Sequence, residues 1–212
     1  MLPSGTYIAV EGPIGVGKTS LARIIAGEIG ARLVLEEALE NPFLPDFYRD
    51  PRRFALQVQL TFLLSRHRQQ SELNQLNLFE NRVVTDYIFD KDRIFAYLNL
   101  EDRELELYNR VLEMLTADIP IPDFIIYLQS SPDRLMTNIR IRDVEFERSI
   151  SPEYLQNLCE CYSQFFFHWQ KSPVLIVNAS KIDFINNEEH RRSLLKVINK
   201  MPAGTTYFNP GA

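Results

Sequence analysis

Cysteine is scarce in this chain of 212 residues, which holds only Cys159 and Cys161. Two positions apart in a stretch that reads as helix, they point to different faces and are poorly placed to bridge. That excludes a disulfide framework and argues against a zinc site. Long apolar runs are missing too: none reaches the ~20 residues a spanning helix needs. The opening MLPSGTYIAVEG has no basic stretch ahead of a long apolar core, so no secretory signal is read there. An excess of positive charge is also lacking, with 23 basic against 28 acidic residues and a net charge of −5. A non-specific grip on nucleic acid or an anionic membrane needs a basic face, so that class is disfavoured. Nor is there the polar bias of disorder, since 45% of residues are hydrophobic and 24% charged. What remains is the expectation of a soluble cytoplasmic protein, one domain long at about 150 residues per domain, able to bury a sizeable core.

No internal repeat or low-complexity linker interrupts the chain. Strand and helix signals alternate instead. Residues 6–11 (TYIAVE) read as a buried strand, followed by a glycine-rich turn and a helix over 18–30. Residues 32–35 read as a second strand, and 36–50, with two prolines, as irregular. A long helix is predicted over 51–77, a third strand over 82–86 (RVVTD), helices over 88–99 and 103–117, and a strand over 123–128 (DFIIYL). Helices over 132–142 and 152–170 flank a charged stretch, 143–150. A fifth strand (174–178), a helix near 187–200 and a polar tail complete the pattern. This alternation predicts an α/β fold with a five-stranded parallel sheet covered on both faces, and ligands at the carboxyl ends of its strands. The aromatic run FFFHW (165–169) reads as core packing.

Residues 12–19 (GPIGVGKT) match the phosphate-loop pattern G-x-x-x-x-G-K-[ST] in full. Gly12, Gly15 and Gly17, with Pro13, Ile14 and Val16 between them, permit a turn whose N–H groups face phosphate oxygens. Lys18 can reach the β/γ-phosphates, the Thr19 hydroxyl can ligate Mg²⁺, and the helix that opens through Ser20 turns its positive end to the anion. A strand before and a helix after are the context the motif requires. Asp86 closes the third strand, where an acidic residue near the phosphate loop is the usual second Mg²⁺ partner. The alternative for Asp86 is a cap for the helix that follows.

On the long helix, Gln59, Phe62, Leu63 and Arg66 share one face at i, i+3, i+4 and i+7. An amide and a guanidinium on an apolar stripe suit the edge of a nucleobase, with Phe62 against its plane. Taken alone, an amphipathic helix with Gln and Arg in solvent is the simpler reading.

The stretches IAVEGPIGVGKTSLA, EEALENPFLPDFY, FALQVQLTFLLSRHRQ, VVTDYIFDKDRIFA, LTADIPIPDFIIYL and FERSISPEYL together resemble the deoxyribonucleoside kinase family, in particular its bacterial deoxyguanosine/deoxyadenosine kinase branch. They run through nearly the whole chain in order. The phosphate loop is shared with many kinases, whereas ENPFL…FY, the Q-x(6)-R helix and DY…DRIFA are far more specific. The resemblance implies a P-loop kinase fold in a single domain, residues 1–212, with a short helical lid at about 138–150. It implies ATP-dependent phosphorylation of a deoxyribonucleoside 5′-hydroxyl, purine favoured, with Mg²⁺ as cofactor, in a homodimer.

By the same resemblance, Glu36 takes the proton from the 5′-hydroxyl, although its neighbour Glu37 leaves the register open by one. Gln59 bonds the base edge and Arg66 faces the base. Tyr48, eleven residues before Gln59, bonds the 3′-hydroxyl with Glu147 from the lid as its acidic partner. Asp86 lies near Mg²⁺ and the reacting oxygen, and Asp183 and Phe184 belong to the loop that holds the adenine of ATP. Asp90 and Asp92 are expected near Arg66, tuning it toward one base edge. Two departures stand out. Tyr87 follows Asp86 where many members have Arg. The lid pattern R-x-x-x-R-x-R appears as Asn138, Arg142 and Val144, so Arg142 alone is retained as a phosphate contact, with Arg140 and Arg148 nearby as substitutes.

Other readings compete. A nucleoside monophosphate kinase of the thymidylate-kinase kind would need basic residues for the acceptor phosphate. A GTPase-like switch would need N-K-x-D, but Asn199-Lys200 is followed by Met201 and Pro202. A kinase-derived binding protein without turnover draws support only from the sparse lid.

Overall fold

The computed structural model describes residues 3–75, 82–117 and 119–210. Its strands are β1 (Tyr7–Glu11), β2 (Arg32–Val34), β3 (Val83–Thr85), β4 (Phe124–Gln129), β5 (Val174–Asn178) and β6 (Thr205–Phe208). Its helices are α1 (Lys18–Ile29), α2 (Leu44–Arg49), α3 (Pro51–Gln75), α4 (Lys91–Asn99), α5 (Asp102–Leu115), α6 (Pro132–Arg142), α7 (Pro152–Phe167) and α8 (Glu188–Ile198). The strands form one sheet in the order β2-β3-β1-β4-β5-β6, and every pairing is parallel.

The sheet thus has six strands among the described residues, where the sequence predicts five. The extra one, β6, pairs with β5 at the edge. Its sequence, TTYF, alternates exposed and half-buried positions and never presents an apolar run, so it reads as a polar tail. By contrast every residue of β1 is buried, as are the first five of β4 and the first four of β5. Helices cover both faces, so these strands carry continuous apolar runs rather than alternation. Two further differences concern helices. The segment read as irregular contains α2, whose first turn accommodates Pro45. The last residues of the predicted long helix, 76 and 77, lie outside the described residues.

Helix α1 lays Leu21, Ala22, Ile25 and Ala26 on the sheet and ends at Gly30, which takes the left-handed conformation (φ 63°) that suits a glycine terminus. Leu21 and Ile25 are almost fully buried, and each such side chain contributes about 1.5–3 kcal/mol by leaving water. In the aromatic run, Phe166 stacks on Tyr127 at 4.3 Å and Trp169 is buried beside it, but Phe167 is 81% exposed, so the core reading fails at that position. Cys159 and Cys161 are both free thiols, as their spacing requires. No described helix is long and apolar enough to cross a membrane.

The chain places β2 and β3 on one side of β1 and β4, β5 and β6 on the other. The reversal falls at β1, and crevices form outside the carboxyl ends of strands at such points. Helix α3, with 25 residues and so about 37 Å long at 1.5 Å per residue, runs alongside and presents one face to that crevice. Helix α6 ends where Asp143 turns left-handed (φ 52°), and the 3-10 turn Glu145–Ser149 then folds over α2.

Candidate active site

The loop between β1 and α1 cannot be built without glycine at its tightest points. Gly12 has φ 151°, and a Cβ there would lie 2.5 Å from the carbonyl oxygen of Leu128. Gly15 has φ 81°, and a Cβ would meet Ile139 Cγ1 at 2.8 Å. The Lys18 ammonium donates to the carbonyls of Gly12 (2.7 Å) and Pro13 (3.1 Å) across this loop. Its pKa is pushed down to about 8, by burial first and by the nearby charge of Lys91 second.

Asp86, at the carboxyl end of β3, accepts from the Thr19 hydroxyl with one oxygen and from the Glu36 backbone N–H at 2.7 Å with the other. The helix-cap alternative for Asp86 is therefore wrong. Helix α4 begins only at Lys91, and Asp90 stands at its N-terminus. Thr19 and Asp86 bring two hard oxygen donors together beside the phosphate loop, a donor set that fits Mg²⁺.

The Glu36 carboxylate sits between two cations. Oε1 accepts from Arg66 Nε (2.8 Å) and Nη2 (2.6 Å), and Oε2 accepts from Lys91 Nζ at 2.7 Å. Burial acts to raise the Glu36 pKa, but Lys91 and Arg66 outweigh it and hold the carboxyl well below the usual carboxylate range. Glu37 points elsewhere, to Ser65 (3.1 Å) and Arg68 (2.6 Å) on an outer groove.

Beyond Glu36 the α3 face opens. Gln59 is 2% exposed and donates to the Asp92 carbonyl at 3.2 Å. Arg66 pairs with Asp92 and lies 4.8 Å from the centre of the Phe62 ring. Asp92 also accepts from the Tyr108 hydroxyl at 2.6 Å. Asp90, expected beside Arg66, instead pairs with Lys171 at 2.6 Å, because neighbouring positions at the start of α4 face opposite ways.

At the lid end, Glu147 is buried and paired with Arg142. The Tyr48 ring stacks on Phe146 at 5.7 Å, and burial pushes its hydroxyl well up in pKa, so it stays a protonated donor. Asn138, where an arginine was expected, donates to the Gly15 carbonyl at 2.8 Å. Arg140 is exposed, and Arg148 pairs with Asp143 at 2.7 Å on the surface.

One cavity of about 440 Å³ gathers most of these groups. Ile14, Gly15, Gly17, Lys18, Thr19 and Ser20 line one end; Glu36, Asp86 and Lys91 the middle; Tyr48, Gln59, Phe62, Arg66, Arg142 and Glu147 the other. Arg140, Asp183 and Phe184 do not line it. Asp183 is held in its own turn by the backbone N–H groups of Ile185 and Asn186. Phe184 is buried beneath Gly17 as part of the core, not open to a stacking partner.

Sequence reasoning missed two groups. Glu11 is fully buried and accepts from Gly12 N (2.8 Å), Ile88 N (2.9 Å) and the Tyr162 hydroxyl (3.0 Å), tying the phosphate loop to the segment after β3. The available signal was a carboxylate closing an otherwise apolar strand. Lys91 was hidden between two aspartates, in a stretch that reads as a solvated turn.

A phosphate loop at the switch point of a parallel sheet, with an acid at the end of the adjacent strand and a helical lid, defines a P-loop kinase fold. The comparisons carry this to a family. The deoxynucleoside kinase family model matches residues 8–202, so the chain belongs to that family. It is 34% identical to the deoxyguanosine kinase of Bacillus subtilis (strain 168) over 86% of this chain and 90% of that one. It is also 34% identical to the deoxyadenosine kinase of Dictyostelium discoideum, over 87% of this chain and 76% of that one. In fold it is similar to deoxyadenosine kinase from M. mycoides, with a TM-score of 0.81 at 22% identity over 92% of this chain and all of the other.

Proposed function

We propose that the protein transfers the γ-phosphoryl group of ATP to the 5′-hydroxyl of a deoxyribonucleoside, with purines preferred. The observation that carries this reading is one continuous cavity. It joins a phosphate loop to a base-sized, amide-and-ring-lined chamber, with Glu36 and Asp86 between them. The preference for purines rests on the relatives named deoxyguanosine and deoxyadenosine kinase.

The roles proposed for the site residues come from the family resemblance, and the geometry is compatible with them. ATP lies along the loop, with its phosphates on the N–H groups of Gly15, Gly17, Lys18 and Thr19 and on the Lys18 ammonium. Thr19 and Asp86 would hold Mg²⁺, which would supply neutralisation of the phosphate charge. Glu36, kept ionised by Lys91 and Arg66, accepts the 5′-hydroxyl proton. So acidic a carboxyl is a weak base toward a free alcohol. Proton transfer therefore comes late, as the forming P–O bond acidifies the hydroxyl, in keeping with a loose transition state. Tyr48 and Glu147 hold the sugar 3′-hydroxyl, while Gln59 and Arg66 meet the base edge over Phe62.

Among the described residues an acceptor phosphate finds no unpaired cation at this end. Arg66 is committed to Glu36 and Asp92, and Arg142 to Glu147. That disfavours a monophosphate acceptor. Arg142, paired with Glu147, is assigned as the lid cation that turns to the phosphates when ATP binds, and we extend the reading to a cytoplasmic homodimer whose lid spans about 138–150. The assignment of Asp183, Phe184 and Arg140 to ATP rests on the family resemblance. The test uses 2′,5′-dideoxyadenosine beside deoxyadenosine. Deoxyadenosine should yield its 5′-monophosphate, identified by phosphorus NMR. The 5′-deoxy analogue should compete without being phosphorylated. A phosphorylated 5′-deoxy analogue overturns the assignment of the 5′-hydroxyl.

A further inference from the structure

Lys91 is an expensive residue to place where it lies. It is 2% exposed, and an ammonium taken out of water is stabilised only by close partners. It opens helix α4, where the positive end of the helix dipole disfavours a cation. Its bond to Glu36 at 2.7 Å takes one of its three donors. Orientation of Glu36 does not require it, because Arg66 already grips the same carboxylate with two N–H groups. Lys91 also lines the cavity shared with the phosphate loop. Its other two donors are left for a second anion in the cavity it lines.

Distances identify the anion. A hydroxyl accepted by Glu36 lies about 3 Å from the carboxylate, and the phosphorus it attacks about 3 Å further on. An ammonium 2.7 Å from that carboxylate, on the wall of the same cavity, comes within reach of the oxygens on that phosphorus when the hydroxyl approaches from its side. We propose that Lys91 is a further catalytic residue, its ammonium anchored on Glu36 and contacting the oxygens of the phosphoryl group during transfer. The inference rests on the kinase reading above. In the step, the 5′-oxygen forms its bond to the γ-phosphorus while the bond from that phosphorus to the bridging oxygen breaks. The electron pair leaves with ADP, and the hydroxyl proton goes to Glu36. Lys91 gives up no proton; it offsets charge on the oxygens in flight.

The experiment compares wild type, Lys91→Met and Lys91→Arg. The acceptor is the deoxynucleoside that wild type turns over best, and ADP with magnesium and aluminium fluoride serves as a mimic of the group in transfer. Lys91→Met should lose kcat on the order of 10²–10³-fold, while calorimetric binding of the deoxynucleoside stays within about threefold of wild type, since no contact to the base or sugar is touched. Binding of the fluoride complex should weaken in step with kcat, and Lys91→Arg should recover at least about tenfold of the loss by restoring the charge. Lys91→Met with kcat near wild type, or with kcat lost and fluoride-complex binding intact, overturns the proposal. So does a loss that appears equally in deoxynucleoside binding, which is the mark of a structural role. If circular dichroism shows Lys91→Met unfolded, Lys91→Gln is read by the same criteria. Wild type that phosphorylates no deoxynucleoside overturns the parent reading instead, so the two failures are distinguishable.

Discussion

Replacing Glu36 by Gln removes the carboxylate assigned as base, between the phosphate loop and the sugar chamber. A positioned general base contributes typically about 10²–10⁴-fold, so kcat should fall by that factor, about 3–5 kcal/mol of barrier at 1.36 kcal/mol per decade. Stability should fall as well. Breaking a buried ion pair from one side costs about 3–5 kcal/mol. Here Arg66 keeps Asp92 as a partner and the Glu36 side chain is 15% exposed, so a smaller cost of about 2 kcal/mol, below that range, is expected. For a chain of this length that lowers Tm by about 4–8 °C. The depressed Glu36 pKa fixes the pH window. Its stabilisation is fully present above the unfolded carboxyl value of about 4.3 and is lost as pH falls below it. The Tm gap between wild type and Glu36→Gln should therefore hold from pH 7 to about 5 and close in stronger acid. The assay pairs steady-state kinetics with thermal melts on Glu36→Gln and Glu37→Gln. Glu37 faces the outer groove, and its variant should stay within about twofold of wild type, as surface changes usually do. Activity lost in Glu37→Gln and kept in Glu36→Gln would falsify the assignment of the base.

Three further outcomes are expected. Lys18→Met should abolish transfer yet stabilise the fold at neutral pH. With the folded pKa lowered to about 8, the charged ammonium is a burden below that pH, relieved as pH rises toward 10.4, and worth about 3 kcal/mol. Thermal melts at pH 7 and 10 should show the variant's advantage shrinking, and an advantage that grows with pH refutes the cause. Tyr108→Phe removes the donor to Asp92 and should lower stability by about 1–3 kcal/mol while altering the ratio of deoxyadenosine to deoxyguanosine turnover; an unchanged ratio separates Asp92 from base choice. Gly12→Ala sets a Cβ against the Leu128 carbonyl at positive φ and should cost about 1–3 kcal/mol and most ATP affinity, read by denaturant melts and nucleotide titration.

The parts of this architecture that follow local rules were legible in the sequence. The phosphate loop announces itself because only its glycines permit that turn. Strands β1, β4 and β5 announce themselves because double-sided burial forces unbroken apolar runs. Strand β6 was not legible, since an edge strand with one wet face needs no such run. The placement of Glu36 over Glu37 could not be read either, because adjacent carboxylates differ only in which cations the fold brings to them. Lys91 and Glu11 carry the same lesson: their neighbours are far away in the chain, Glu36 for the one and Ile88 and Tyr162 for the other. For Asp90 and Asp92 the helix start decides, turning the first to Lys171 and the second to Arg66.

The most direct test offers the protein ATP and magnesium with deoxyadenosine, deoxyguanosine, deoxycytidine and thymidine in parallel, and the four corresponding monophosphates as rival acceptors. The account predicts turnover of the nucleosides, fastest with a purine, and none of the monophosphates. Turnover of monophosphates alone would contradict it and remove Glu36 from the role of base.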